Sequence, residues 1–254
     1  MKTNIYHIMQ FKDNSAYLNF LGCNWKCRGC VRLRGWESHL SPSDVENLNK
    51  IYPEDHKPKL RQNLNEVIKI LKDNKAKKVY LGGHEPTIDP NIMKILEGLK
   101  DEGLWLKLVT NGELLTDEII DMVDEATLSI KALDDKIHKS YTGASNKKTL
   151  ENFERFYGSK KIEAESIYIP GLIECEEILK IAEYIAGYNK NLRYRLDRYL
   201  SYSGYGQNAT EKEVETCFNE VKKILPNAYT FASVWGMKTG NKINYAKCLY
   251  PKIN

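Results

Sequence analysis

The chain has 254 residues, 42% of them apolar and 28% charged, with a formal net charge of +4 at neutral pH. That length suffices for one sizeable core, and the composition is that of a soluble globular protein. The charge is too mild for a dedicated nucleic-acid binder, no apolar run is long enough to span a membrane, and the first residues lack the features of a secretory signal.

"SAYLNFLG", from Ser15, reads as a strand and runs straight into "CNWKCRGC", which sets Cys23, Cys27 and Cys30 within eight positions. Residues 35–59 are polar, interrupted by three prolines and read as a long loop insertion, a lid or docking surface on one view and solvent-exposed padding on the other. Beyond them the chain alternates regularly. "NLNEVIKILKDN" puts Leu64, Val67, Ile68 and Leu71 on one helical face, with Asn63 as its cap. "KKVYLGG" is a short strand ending in a glycine pair, and "NIMKILEGLKDEG" is a helix stopped by Gly103. "LWLKLVTNG" is a strand with its turn, "TDEIIDMVDEA" a capped helix and "TLSIKAL" a strand; helical sequence then runs from Asp134 to about Gly158. "KIEAESIYIPG", "EEILKIAEYIAG" and "LRYRLDRYL" continue the rhythm as strand, helix and strand. "EKEVETCFNEVKKIL" is a last helix before a strand-like "AYTFASVWG" and a basic tail.

Six strands alternating with helices predict an α/β fold, a parallel sheet whose right-handed crossovers curl it into a partial (β/α)6 barrel open on one side. The expectation is one domain over residues 1–254, its core at about 15–205, with a helix, strand and tail over 206–254. Chemistry in such folds sits where strands end, and "GCN", "GGHEP" and "TNG" all fall there.

The cysteines are expected as reduced thiols of the cytoplasm. Structural zinc wants four ligands, and His39, nine residues beyond Cys30, is not at knuckle spacing. A four-iron cluster normally takes four thiolates; given three, one iron stays open for a substrate or cofactor. Cys175, Cys217 and Cys248 lack any paired spacing and read as isolated reduced thiols.

"CNWKCRGC" resembles the signature of the radical S-adenosylmethionine (SAM) superfamily. "GGHEPT", "TNG", "SIKALDD", "TGASNKKTLENFERF" and "YIPG" resemble segments of the pyruvate formate-lyase (glycyl radical enzyme) activating enzymes, so the similarity spans roughly residues 15 to 205. The resemblance implies a partial six-stranded barrel and a four-iron four-sulfur (4Fe-4S) cluster on Cys23, Cys27 and Cys30, whose free iron chelates SAM. Reductive cleavage of SAM would give a 5′-deoxyadenosyl radical for hydrogen abstraction from a backbone glycine of a partner protein. Gly82, Gly83 and Glu85 would receive the methionine end. Asn111, Ser129 and Lys131 would contact SAM, Lys131 with a catalytic role.

Several positions depart from that pattern. Gly29 stands where an aromatic residue usually precedes the last cysteine, so a stacking ring must come from elsewhere, with Trp25 and Trp36 as candidates. Val31, Val109, Ser129, Glu165 and Leu200 replace a His, an acid, an Asp, an Arg and a His of the activating enzymes. In "NLRYRLDRYL" alternation puts Asn191, Arg193, Arg195, Asp197 and Tyr199 on one face. Turned inward, Arg193 and Arg195 would hold the SAM carboxylate or an anionic substrate; turned outward, they form a solvated edge. Lys26, Arg28, Arg32 and Arg34 serve solubility or form a docking patch for an acidic flavodoxin or ferredoxin-like electron donor. Two alternatives stand beside the activase: a radical SAM enzyme acting on a small heterocycle, like 7-carboxy-7-deazaguanine synthase, and a non-enzymatic zinc-binding module.

Overall fold

In the computed structural model, residues 1–34, 36, 39–159, 161–201, 203–230 and 246–253 are described, without the side chains of residues 33, 34 and 54–56. The strands are β1 (Ile5–Gln10), β2 (Ser15–Phe20), β3 (Lys78–Gly83), β4 (Trp105–Thr110), β5 (Glu125–Ser129), β6 (Ile162–Tyr168), β7 (Tyr194–Arg198), β8 (Ala228–Thr230) and β9 (Lys247–Tyr250). They form one open sheet in the order β8-β7-β6-β5-β4-β3-β2-β1-β9. Neighbours from β2 to β8 are parallel, whereas β1 pairs antiparallel with both β2 and β9. The sheet does not close, in agreement with the open partial barrel expected from the alternation.

Strand alternation decides which face is which. Ala16, Leu18 and Phe20, Val79 and Leu81, Leu106 and Leu108, Ala126 and Leu128, and Tyr194 and Leu196 all belong to one buried apolar cluster. The intervening residues, among them Tyr17, Asn19, Lys107, Thr127, Ser129, Glu163, Glu165, Arg195 and Asp197, therefore share the opposite, concave face. That face is the polar lumen.

The helices are α1 (Pro42–Ile51), α2 (Leu64–Asp73), α3 (Ile92–Asp101), α4 (Asp117–Met122), α5 (Asp135–Thr142), α6 (Lys147–Phe156), α7 (Cys175–Asn189) and α8 (Glu211–Ile224). Helices α2 to α8 bury their apolar stripes on the apolar side, as α2 does with Leu64, Val67 and Leu71. Asn63 stands at the α2 N-cap position but its side chain makes no capping bond. The helical stretch after Asp134 divides in two because Gly143, with φ 75°, ends α5. No helix among the described residues is long and apolar enough to cross a membrane.

Three expectations need correction. The insertion at 35–59 is not all loop: Ser41 accepts from the Asp44 amide, Pro42 opens α1, and Val45 and Leu48 are buried. These two join Tyr6, Met9, Phe11, Trp36 and Leu40 in a second apolar cluster on β1. The sequence pattern marks neither β1 nor β9; five of the six β1 residues are buried, so the strand shows no alternation. Of "AYTFASVWG" the first three residues form β8, and the rest lies outside the described residues. Finally, Cys175 and Cys217 are not isolated thiols. α7 and α8 pack side by side, which brings their Cα atoms to 5.3 Å, and the two sulfurs are bonded as a disulfide.

Candidate active site

Cys23, Cys27 and Cys30 follow β2 at its C-terminal end, on a loop with little structure of its own that is held from both sides. Lys26 N donates to Thr142 O at 2.7 Å and Arg28 N to Tyr141 O at 3.0 Å, which fastens the loop to the end of α5. Trp25 Nε1 and Asn24 Nδ2 both donate to Glu113 Oε2, at 2.5 and 2.9 Å. Asn111 Nδ2 reaches Asn24 Oδ1 at 2.7 Å and lies 3.9 Å from Cys23 Sγ. Neighbouring Asn111 is thus part of the cysteine loop's support.

Burial pushes the Cys23 thiol up to about 11, with Glu85 and Cys30 adding to the effect. It pushes Cys27 up to about 12, aided by Cys30 and Cys23 and opposed by Lys131. Thiolates crowded this way repel one another and gain from a shared cation, which is the donor chemistry of an iron–sulfur site. The residues present therefore fit such a group. Among the described residues no three Cys, His, Asp or Glu side chains are arranged to hold a single metal ion. His39 lies away from the loop, edge-on to Phe11 at 5.5 Å.

The glycine pair ends β3. A Cβ on Gly82 would stand 2.2 Å from Tyr17 Oη, and Gly83, at φ +97°, packs on the β2 backbone. Glu85 is 2% exposed. Its Oε1 accepts from Thr87 N at 3.1 Å and from the Thr87 and Thr110 hydroxyls at 2.7 Å, while Oε2 accepts from Asn111 N at 2.7 Å. Burial pushes its carboxyl above the usual range against the pull of those bonds. As placed, Glu85 brackets the turns after β3 and β4 instead of presenting an open counter-charge.

The lumen below carries two layers of charge. In the upper one Arg195 pairs with Glu165 and, at 3.0 Å, with Asp197, while Lys131 lies 3.8 Å from Glu165 and Ser129 donates to it. Burial pushes the Asp197 carboxyl up, against Arg195. In the lower layer Lys107 pairs with Glu163, and Thr127 and Tyr229 also donate to that carboxylate, at 2.6 and 3.0 Å. Arg193 belongs to this lower layer, on Glu125 at 2.8 Å and Glu163 at 3.4 Å. So β7 does turn its polar face inward, yet only Arg195 sits on the side of the cysteines.

Neither tryptophan stands free for stacking. Trp25 is 5% exposed and edge-on to His138 at 4.8 Å; Trp36 is 1% exposed and edge-on to His7 at 5.2 Å. The ring beside Gly29 is that of Tyr199. Tyr199, Glu113 and Thr110 were not singled out for these roles from sequence; only their positions at or after strand ends could have marked them. Of the basic quartet, Lys26 and Arg28 are exposed, whereas Arg32 is 8% exposed over the Tyr17 ring, and the Arg34 side chain lies outside the described set.

Comparisons with known proteins agree with this geometry. The sequence model of the radical SAM superfamily matches residues 20–185. A curated relative from Methanocaldococcus jannaschii, named "Putative glycyl-radical enzyme activating enzyme MJ1632", is 30% identical over 215 residues, 78% of this chain and 72% of its own. Among solved structures, Streptococcus suis SuiB matches with a TM-score of 0.59 at 17% identity, over 83% of this chain and 47% of SuiB. Archaeal TYW1 matches with a TM-score of 0.51 at 14% identity, over 84% of this chain and 74% of its own. This chain spans about half the length of SuiB, and at such identities the likeness is one of fold. Members of the superfamily generally use a 4Fe-4S cluster and SAM. The chain belongs to the radical SAM superfamily.

Proposed function

We propose that this chain is a radical SAM enzyme of the activating-enzyme type, with Cys23, Cys27 and Cys30 holding a 4Fe-4S cluster and a backbone glycine of a partner protein as the target. The observation that carries the reading is the placement of three free thiols on one loop, at the C-terminal end of a parallel sheet whose polar face forms the lumen. The name of the M. jannaschii relative supports the choice of a protein target. When bound, the cluster supplies the electron that cleaves SAM to a 5′-deoxyadenosyl radical.

The chain's own residues hold and orient. Gly82 and Gly83 let the Tyr17 ring and the β2 backbone close on the end of β3, and Glu85 fixes the turn beyond them that receives the methionine end of SAM. Asn111 steadies the loop through Asn24. Lys131 places a positive charge near Cys27, easing its ionisation. Ser129 and Glu165 set the direction of Lys131 and Arg195, which offer cationic contacts to the SAM carboxylate. An acidic electron donor of the flavodoxin or ferredoxin kind meets Lys26 and Arg28 at the exposed side of the loop.

The substrate assignment is tested with a partner protein carrying glycine deuterated at Cα. Transfer of deuterium into 5′-deoxyadenosine supports it. Turnover stimulated only by a small heterocycle would move the target to metabolites.

A further inference from the structure

Gly29 lies buried between Cys27 and Cys30, and its backbone does not demand glycine, since it is not among the residues with positive φ. The demand is one of space. A Cβ at position 29 would stand 2.5 Å from Tyr199 Oη and 2.7 and 2.9 Å from two carbons of the same ring. Such approaches are well inside van der Waals contact.

Tyr199 is locked where it is. It follows β7 directly, is 1% exposed, donates through its hydroxyl to Tyr205 O at 2.6 Å and through its amide to Tyr168 O at 3.2 Å. The segment it opens also grips the cysteine loop: Ser203 Oγ donates to Arg28 O at 3.1 Å, and the Arg28 guanidinium lies over the Tyr205 ring at 5.3 Å. Tyr141, whose carbonyl accepts from Arg28 N, closes the circle with its ring 6.2 Å from that of Tyr205. Residues 199–205 lie beyond the stretch matched by the superfamily.

We propose that Tyr199 is a positioning residue for the cysteine loop: its ring fills the side-chain space that Gly29 gives up, walls off Cys27 and Cys30, and excludes water from the group they hold. The packing half stands on the geometry alone; the water-exclusion half rests on the cluster reading of the cysteines. A reduced cluster carries one more negative charge than an oxidised one, and water stabilises that form. A dry wall therefore keeps the reduction potential low.

Four variants test both halves: Gly29→Ala, Tyr199→Ala, Tyr199→Phe and the pair Gly29→Phe/Tyr199→Ala. In thermal melts of the full chain without cluster, Gly29→Ala melts below wild type because the ring has nowhere to go. The pair melts above Tyr199→Ala, since a ring at position 29 refills the gap. In the reconstituted protein, Tyr199→Ala raises the reduced-to-oxidised ratio at a fixed potential about tenfold, equivalent to about 59 mV for one electron. Tyr199→Phe stays near wild type, and the pair returns toward it. Tolerance of Gly29→Ala without loss, or a pair no better than Tyr199→Ala, overturns the packing claim. An unchanged potential in Tyr199→Ala overturns the shielding claim. A wild type that assembles no cluster overturns the proposed function, and the melts still decide the packing.

Discussion

Glu85 and Asn111 are joined by a hydrogen bond of 2.7 Å, from the backbone amide of Asn111 to Oε2, which ties the turn after β3 to the turn after β4. The other oxygen of Glu85 accepts from a second backbone amide, that of Thr87. A glutamine here must turn its NH2 group toward one of those amides, so one buried donor loses its acceptor. Glu85→Gln is expected to cost about 1–3 kcal/mol, measured by urea unfolding of the protein without cluster.

Lys107 and Glu163 form the floor of the lumen. Burial works against the Glu163 charge, but Lys107 and the surrounding donors overcome it and hold the carboxyl below its usual range. A depressed carboxyl stabilises the fold above its unfolded value of about 4.3, and that contribution is lost as pH falls through the lower folded value. Lys107→Met leaves the buried carboxylate short of its cation and is expected to cost about 3–5 kcal/mol. The double variant with Glu163→Gln should recover more than half of the loss, as a double-mutant cycle would show.

His138 is buried behind Trp25, and burial holds its imidazole below the ordinary value. Its contribution is complete above the unfolded value of about 6.5 and is lost as pH falls from there toward the folded value. Unfolding free energy should therefore drop as pH falls below about 6.5, by up to about 1.4 kcal/mol per pH unit for one proton. His138→Gln is expected to remove that component of the slope.

Cys175 and Cys217 are 42 residues apart in sequence. Closing a loop of that length restricts the unfolded chain by about 4 kcal/mol in the chain-entropy account. Reductant should lower the melting temperature of the wild type and leave Cys175→Ser/Cys217→Ser unmoved. Equal melting curves with and without reductant in the wild type would remove the covalent link between α7 and α8.

Much of this was legible in the sequence because it is periodic or local. Six of the seven parallel strands, β2 to β7, declare themselves by alternation with helices, and the cysteine triplet by its spacing. What stayed hidden depends on partners distant along the chain. Nothing within ten residues of Cys175 announces Cys217, and only the packing of two helices joins them. Gly29 reads as a missing aromatic until Tyr199, 170 positions on, is seen in its place. Arg193 and Arg195 look equivalent by alternation, yet Arg193 stands just before β7 and Arg195 inside it, and two residues of rise put them in different layers. β1 was invisible because both its faces are buried, one by the core and one by the insertion.

The central claim is that Cys23, Cys27 and Cys30 hold a cluster with one iron left open to SAM. It is tested most directly by anaerobic reconstitution with iron and sulfide, followed by dithionite and SAM, with 5′-deoxyadenosine measured as the product. The account predicts about four irons and four sulfides per chain, product from the wild type, and none once any of the three cysteines is changed to alanine. Protein that binds one zinc and no sulfide, or that carries the full cluster and leaves SAM intact, would contradict it.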